Sequence, residues 1–117
     1  MIVEDDRFLS SLIKARLEKD SFATTQAFDG DEAIQLLRKE KPDLIVLDLI
    51  MPKVSGFEVL EAISLDPQLN KIPVVILSNL AQDSDIQKAK SLGATEYFVK
   101  VRVSIDDLVN KVRSIVK

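Results

Sequence analysis

Four apolar runs in this chain each stop at a polar group that could do chemistry. Asp48 follows Leu44-Ile45-Val46-Leu47, and Glu4-Asp5 follows Met1-Ile2-Val3. Ser78 follows Val74-Val75-Ile76-Leu77, and Lys100 follows Tyr97-Phe98-Val99. Such runs read as strands of a parallel sheet, the third and fourth buried on both faces. Ligands of open α/β sheets sit at the carboxyl ends of the strands. Carboxylates gathered at one edge repel and raise one another's pKa unless a cation neutralises them. Hard oxygen ligands with open water positions suit Mg²⁺. Lys100 could pair with the carboxylates, and the Ser78 hydroxyl could donate to an oxyanion at Asp48. Each residue also has a plainer reading: helix capping for Glu4, Asp5 and Asp6, a turn for Ser78, a solvated strand end for Lys100. Their convergence on one edge favours a site.

The elements that must position these groups alternate in type. The spacing predicts strands over residues 1–3, 22–27, 44–47, 73–77 and 96–99. Between and after them it predicts helices over residues 7–19, 31–39, 57–65, from Asp83 or Ser84 to Leu92, and from Ser104 to about Val116. The first helix should turn Phe8, Leu9, Leu12, Ile13 and Leu17 along its apolar positions, with Asp6 as its cap. Gly93 suits the residue just past the fourth helix, and Ser104 with Asp107 resembles a capping box. Strand–helix alternation of this kind means parallel strands, right-handed crossovers and helices on both faces.

Totals narrow the classes. The 117 residues fit one domain, 46% are hydrophobic and 30% charged, and the net charge of −3 gives no general pull toward nucleic acid. His and Cys are both absent, so imidazole metal sites, His-based triads and disulfides are excluded. No apolar stretch approaches the ~20 residues of a membrane span and no signal peptide is visible, so the cytoplasm is the expected compartment.

With these residues in view the chain resembles a receiver domain of a two-component response regulator. The matching pieces are Val3-Glu4-Asp5-Asp6, residues 27–33, residues 42–52, Gly56, residues 72–78 and Gly93-Ala94-Thr95-Glu96-Tyr97. The resemblance covers essentially the whole chain and rests most firmly on Asp48, Met51-Pro52 and Gly56 with the upstream acidic pair. It implies a doubly wound, flavodoxin-like five-stranded sheet of order 2-1-3-4-5 with five helices. It also implies one domain, residues 1–117, with no output domain present. Asp48 would be the phosphoacceptor, taking a phosphoryl group from a histidine kinase or a histidine phosphotransfer protein. Asp5 would ligate Mg²⁺ directly, Glu4 through water, and Ile50 through its backbone carbonyl, with Asp48 completing the set. Ser78 and Lys100 would bind phosphoryl oxygens, and Tyr97 would be the aromatic switch coupled to Ser78. Chemistry would be limited to Mg²⁺-dependent self-phosphorylation and self-dephosphorylation. The fourth helix, fifth strand and last helix, near Lys88, Glu96, Arg102 and Arg113, would form the face for a homodimer or output partner. No direct contact with nucleic acid or membrane is implied.

The sequence departs from the family at three places. Val101 stands where Pro usually follows the lysine, which predicts a trans Lys100–Val101 peptide, because a non-proline cis bond costs roughly 3–4 kcal/mol. The first strand is short, which predicts modest thermal stability. Ile50 and Leu80 are apolar beside the acceptor, which predicts slow self-dephosphorylation. Two alternatives stay open here: a receiver-like module that works by surface contacts without phosphate, and a Mg²⁺-dependent aspartyl phosphatase. The second lacks the acid usually found two residues past the nucleophile, where Ile50 stands. A nucleotide or flavin site has no support, because no glycine-rich loop follows the first strand.

Overall fold

In the computed structural model, which describes residues 1–116, strands and helices alternate as the periodicity requires. The order is β1 (Ile2–Val3), α1 (Arg7–Lys19), β2 (Gln26–Ala27), α2 (Gly30–Lys39), β3 (Ile45–Leu47), α3 (Gly56–Leu65), β4 (Val74–Ser78), α4 (Asp83–Ser91), β5 (Glu96–Val99) and α5 (Ile105–Val116). A 3₁₀ turn, Lys100–Arg102, joins β5 to α5. Lys117, the last residue of the expected domain, lies outside the described residues.

Every strand pair is parallel, and the sheet runs β2-β1-β3-β4-β5. This is the expected doubly wound order. Side-chain alternation along the strands divides the core into two layers. Val3, Ile45, Leu47, Val74 and Ile76 pack against α2, α3 and α4 through Ala33, Leu37, Leu60 and Ala89. Ile2, Val46, Val75 and Leu77 pack against α1 and α5 through Ile13, Leu17, Leu108 and Val112. Because both faces are covered, β3 and β4 are apolar throughout, each buried Ile, Leu or Val contributing about 2 kcal/mol.

Helix ends follow local chemistry. Asp6 Oδ1 accepts from the Phe8 and Leu9 amides at 3.0 and 3.2 Å, capping α1. Ser55 and Glu58 form a reciprocal capping box on α3. The Asp107 amide donates to Ser104 Oγ at 3.0 Å, and Gly93 takes φ +103° just past α4. The cap expected at Asp83 or Ser84 is displaced. Gln82 occupies that position without a side-chain bond, and Asp83 and Asp85 lie inside the first turn, where their charge favours the helix dipole.

Two other expectations give way to packing. Residues 22–25 do not join β2, because a strand needs a partner backbone and β1 offers two residues. Thr24 and Thr25 instead bond Glu18 and Glu40 through their hydroxyls. On α1 the buried stripe is Ser10, Ile13 and Leu17, which leaves Phe8 80% and Leu12 42% exposed. The Ser10 hydroxyl is buried because it accepts from Gln26 Nε2 at 2.9 Å. Among the described residues no peptide is cis, so Lys100–Val101 is trans as expected.

Candidate functional site

The sheet register places the acidic edge. Val3 lies opposite Leu47, so the next residues, Glu4 and Asp48, leave neighbouring strand ends together. Backbone bonds hold both exits: the Asp48 amide to Val3 O at 2.9 Å and the Glu4 amide to Ala27 O at 3.0 Å. Glu4 and Asp48 are buried, at 2% and 4% exposure, while Asp5 faces solvent. One carboxylate oxygen from each of Glu4, Asp5 and Asp48 lies within 4.8 Å of the others. Gly56 lets α3 start directly beneath this edge, since a Cβ there would stand 2.0 Å from the Asp48 carbonyl oxygen.

Lys100 reaches the carboxylates from the far end of β5. Its Nζ lies 2.7 Å from Glu4 Oε1 and 3.1 Å from Asp48 Oδ2. Glu4 Oε2 accepts from the Asp6 amide at 3.1 Å, and Asp48 Oδ1 from the Ile50 amide at 3.3 Å. Among the described residues the lysine is the one partner of Glu4 Oε1, met as an ion pair. Burial pushes the Glu4 carboxyl up to about 7, with the Asp48 charge adding to the rise and Lys100 opposing it. Burial on its own lowers the Lys100 ammonium, but Glu4 and Asp48 outweigh it and hold the group above its ordinary value. At Glu4 desolvation is a larger cause of the rise than the mutual repulsion expected of neighbouring carboxylates.

Ser78 and Tyr97 converge on the backbone of one residue, Leu80. Ser78 is fully buried, and its Oγ accepts from the Leu80 amide at 3.2 Å. The Tyr97 hydroxyl donates to Leu80 O at 2.7 Å, and its half-buried ring packs on the core. Burial, reinforced by the Asp85 charge, raises the Tyr97 phenol. The two peptide groups flanking Leu80 are thus each held by a side chain, a role no side-chain pattern announces because it belongs to the backbone. The bond the Ser78 hydroxyl makes to the loop is one it accepts, so its proton is left for another acceptor.

The remaining expected residues divide. The Ile50 side chain is 55% exposed beside the acceptor, and Val101 is 81% exposed beside Lys100. Lys88 lies over the Phe57 ring at 4.4 Å, and Glu96 pairs loosely with Lys111 at 3.9 Å. Arg113 turns away from the expected partner face, bonding Asp20 at the end of α1.

Comparison with known proteins agrees with this geometry. The response regulator receiver domain profile matches residues 1–113. The transcriptional regulatory protein YcbL of Bacillus subtilis, itself uncharacterized, is 35% identical over 119 residues, covering 100% of this chain and 50% of that protein. The chain spans about half the length of this and similar transcriptional regulators. The receiver domain of Francisella response regulator 1452 superposes with a TM-score of 0.89 at 32% identity, covering 98% of this chain and 93% of that one. The BeF3-activated receiver domain of Klebsiella pneumoniae RstA gives 0.89 at 28%, covering 99% and 96%. Among the described residues no helix is long and apolar enough to cross a membrane. The fold, the acidic edge and these likenesses agree: the chain belongs to the response regulator receiver domain family, the receiver module of two-component signalling.

Proposed function

We propose that Asp48 accepts a phosphoryl group from a phosphohistidine on a sensor kinase or phosphotransfer protein. The observation that carries this reading is a buried carboxylate with a lysine ammonium 3.1 Å away and two further carboxylates beside it. An Asp48 oxygen attacks phosphorus in line with the departing imidazole nitrogen. The P–N bond breaks, the P–O bond forms, and the imidazole keeps the electron pair and takes up a proton. Such transfer depends on positioning and charge neutralisation rather than acid–base work.

The donor set fits a hard divalent cation, because Glu4, Asp5 and Asp48 can each present a carboxylate oxygen within 4.8 Å of the others. Asp5 and Asp48 would hold Mg²⁺ directly, Glu4 through water and Ile50 through its carbonyl; when bound, the ion supplies positive charge to the phosphoryl oxygens. Lys100 neutralises another oxygen. The Ser78 hydroxyl moves from the Leu80 amide to donate to the phosphoryl group, which loosens the loop at Leu80, whose carbonyl Tyr97 holds. The switch therefore runs from Asp48 through Ser78 and Leu80 to Tyr97 and the surface of α4, β5 and α5. That surface would meet a second copy or an output partner. Beyond self-phosphorylation and self-dephosphorylation no catalysis is assigned, and the cytoplasm is the compartment where kinase and receiver would meet. The apolar Ile50 and Leu80 side chains restrict water near the acyl phosphate, so phosphate loss should be slow and Ile50→Asn should speed it.

The test is incubation with a small phosphodonor with and without Mg²⁺, read by intact mass. A phosphoryl adduct on the wild type that is absent from Asp48→Asn is the expected result. An unmodified wild type in the presence of Mg²⁺ would sink the proposal.

A further inference from the structure

Helix α4 buries one residue, Ala89, where each of the other four helices buries three or four. Its N-cap, Gln82, makes no side-chain bond. Among the described residues no α4 side chain forms an ion pair or hydrogen bond with another element; the Ser91 hydroxyl bonds Lys88 O within the helix. What α4 does offer a neighbour is the Lys88 ammonium, 4.4 Å from the centroid of the Phe57 ring on α3.

That ring is tied to the acceptor. Phe57 is the second residue of α3, and the first, Gly56, abuts Asp48: a Cβ there would stand 2.0 Å from the Asp48 carbonyl oxygen. The Gly56 amide donates to Leu49 O at 3.0 Å, and the Ser55–Glu58 capping box fixes the same turn. The Phe57 ring is half-buried and packs on the core, so its face is set relative to Asp48. Lys88 therefore joins α4 to the turn beneath the acceptor. A separate tether enters at the other end of α4, through Leu80, which lies just before the helix and is held by Ser78 and Tyr97.

We infer that Lys88 and Phe57 form a latch that holds α4 in its unphosphorylated arrangement and so opposes phosphoryl binding. This inference rests on the reading of Asp48 as phosphoacceptor. When Ser78 turns to the phosphoryl group the Leu80 tether loosens, and Lys88 is left as the polar tether of α4. A contact made in one arrangement alone weakens, by its own worth, any ligand that favours the other. An ammonium over a ring at an exposed site shifts such an equilibrium about two- to fivefold.

The test measures binding of beryllofluoride, a phosphoryl mimic, in the presence of Mg²⁺. It also measures hydrogen exchange of the α4 amides with neither present. Lys88→Met should bind beryllofluoride about two- to fivefold more tightly than the wild type and exchange its α4 amides faster by the same factor. Phe57→Leu should tighten binding likewise, the double variant should add nothing further, and Lys88→Arg should match the wild type. Loss of a positive charge by itself would weaken binding of an anion. Lys90→Met, which removes an exposed α4 lysine with no ring beneath it, should therefore not tighten binding. Wild-type binding that Lys88→Met fails to tighten, tightening in Lys90→Met as well, or α4 exchange unchanged by Lys88→Met overturns the latch alone. A wild type that binds no beryllofluoride overturns the reading of Asp48 and the latch with it.

Discussion

Replacing Glu4 by Gln should make the metal-free protein more stable at pH 8 and leave its stability at pH 4 unchanged. The unfolded Glu4 carboxyl loses its proton near 4.5, whereas burial holds the folded one up to about 7. Between those values the folded chain binds more protons than the unfolded chain, so stability falls as pH rises through the window. Each pH unit is worth about 1.4 kcal/mol per proton, and the window from 4.5 to about 7 therefore amounts to about 3 kcal/mol. Gln keeps the volume and the amide bond from Asp6 but carries no charge, and Lys100 retains Asp48 as its partner. Urea midpoints of both proteins in EDTA, from pH 4 to pH 8, should coincide at the acid end and diverge by that amount at the alkaline end. Taking the difference removes groups that titrate identically in the two. If Glu4→Gln is no more stable than the wild type at pH 8, the Lys100 contact outweighs desolvation and the reasoning fails. On the proposed function, Mg²⁺ should then stabilise the wild type more than the variant, because only folded chains with the full carboxylate set bind it tightly.

Lys100→Met should cost about 3 kcal/mol at pH 8, because it leaves Glu4 and Asp48 buried without their cation; urea titration should show the loss shrinking toward pH 5 as Glu4 takes up a proton. Gly56→Ala should destabilise by about 3 kcal/mol or more and displace the acceptor, since the new methyl would meet the Asp48 and Leu49 backbones at 2.0 and 2.5 Å; denaturation and phosphorylation rate check it. Tyr97→Phe should cost about 1 kcal/mol and speed amide exchange after β4, because the Leu80 carbonyl loses its 2.7 Å donor.

Much of the site was legible because strand ends carry it. A parallel strand buried on both faces must be apolar, so Asp48, Ser78 and Lys100 stand out against Val and Ile runs, and alternation with helices places them on one edge. Gly93 and the caps at Asp6 and Ser104 were legible because their chemistry is local. The displaced cap at Gln82 shows the limit: Asp83 is equally suited to capping and to the first turn, and only the path of the chain chooses.

What the sequence alone determined was the identity of the chemical groups and the strand ends that hold them. Those follow from residue type and period, which do not depend on distant contacts. The tertiary structure decided what each group touches. Lys100 meets Glu4 as well as Asp48, across separations of 96 and 52 residues. Ser78 and Tyr97 hold the amide and the carbonyl of Leu80, and residues 22–25 stay outside β2 because the two residues of β1 register with Gln26 and Ala27. Hydrogen bonds and desolvation depend on distance in space, and packing sets that distance only once the sheet has assembled.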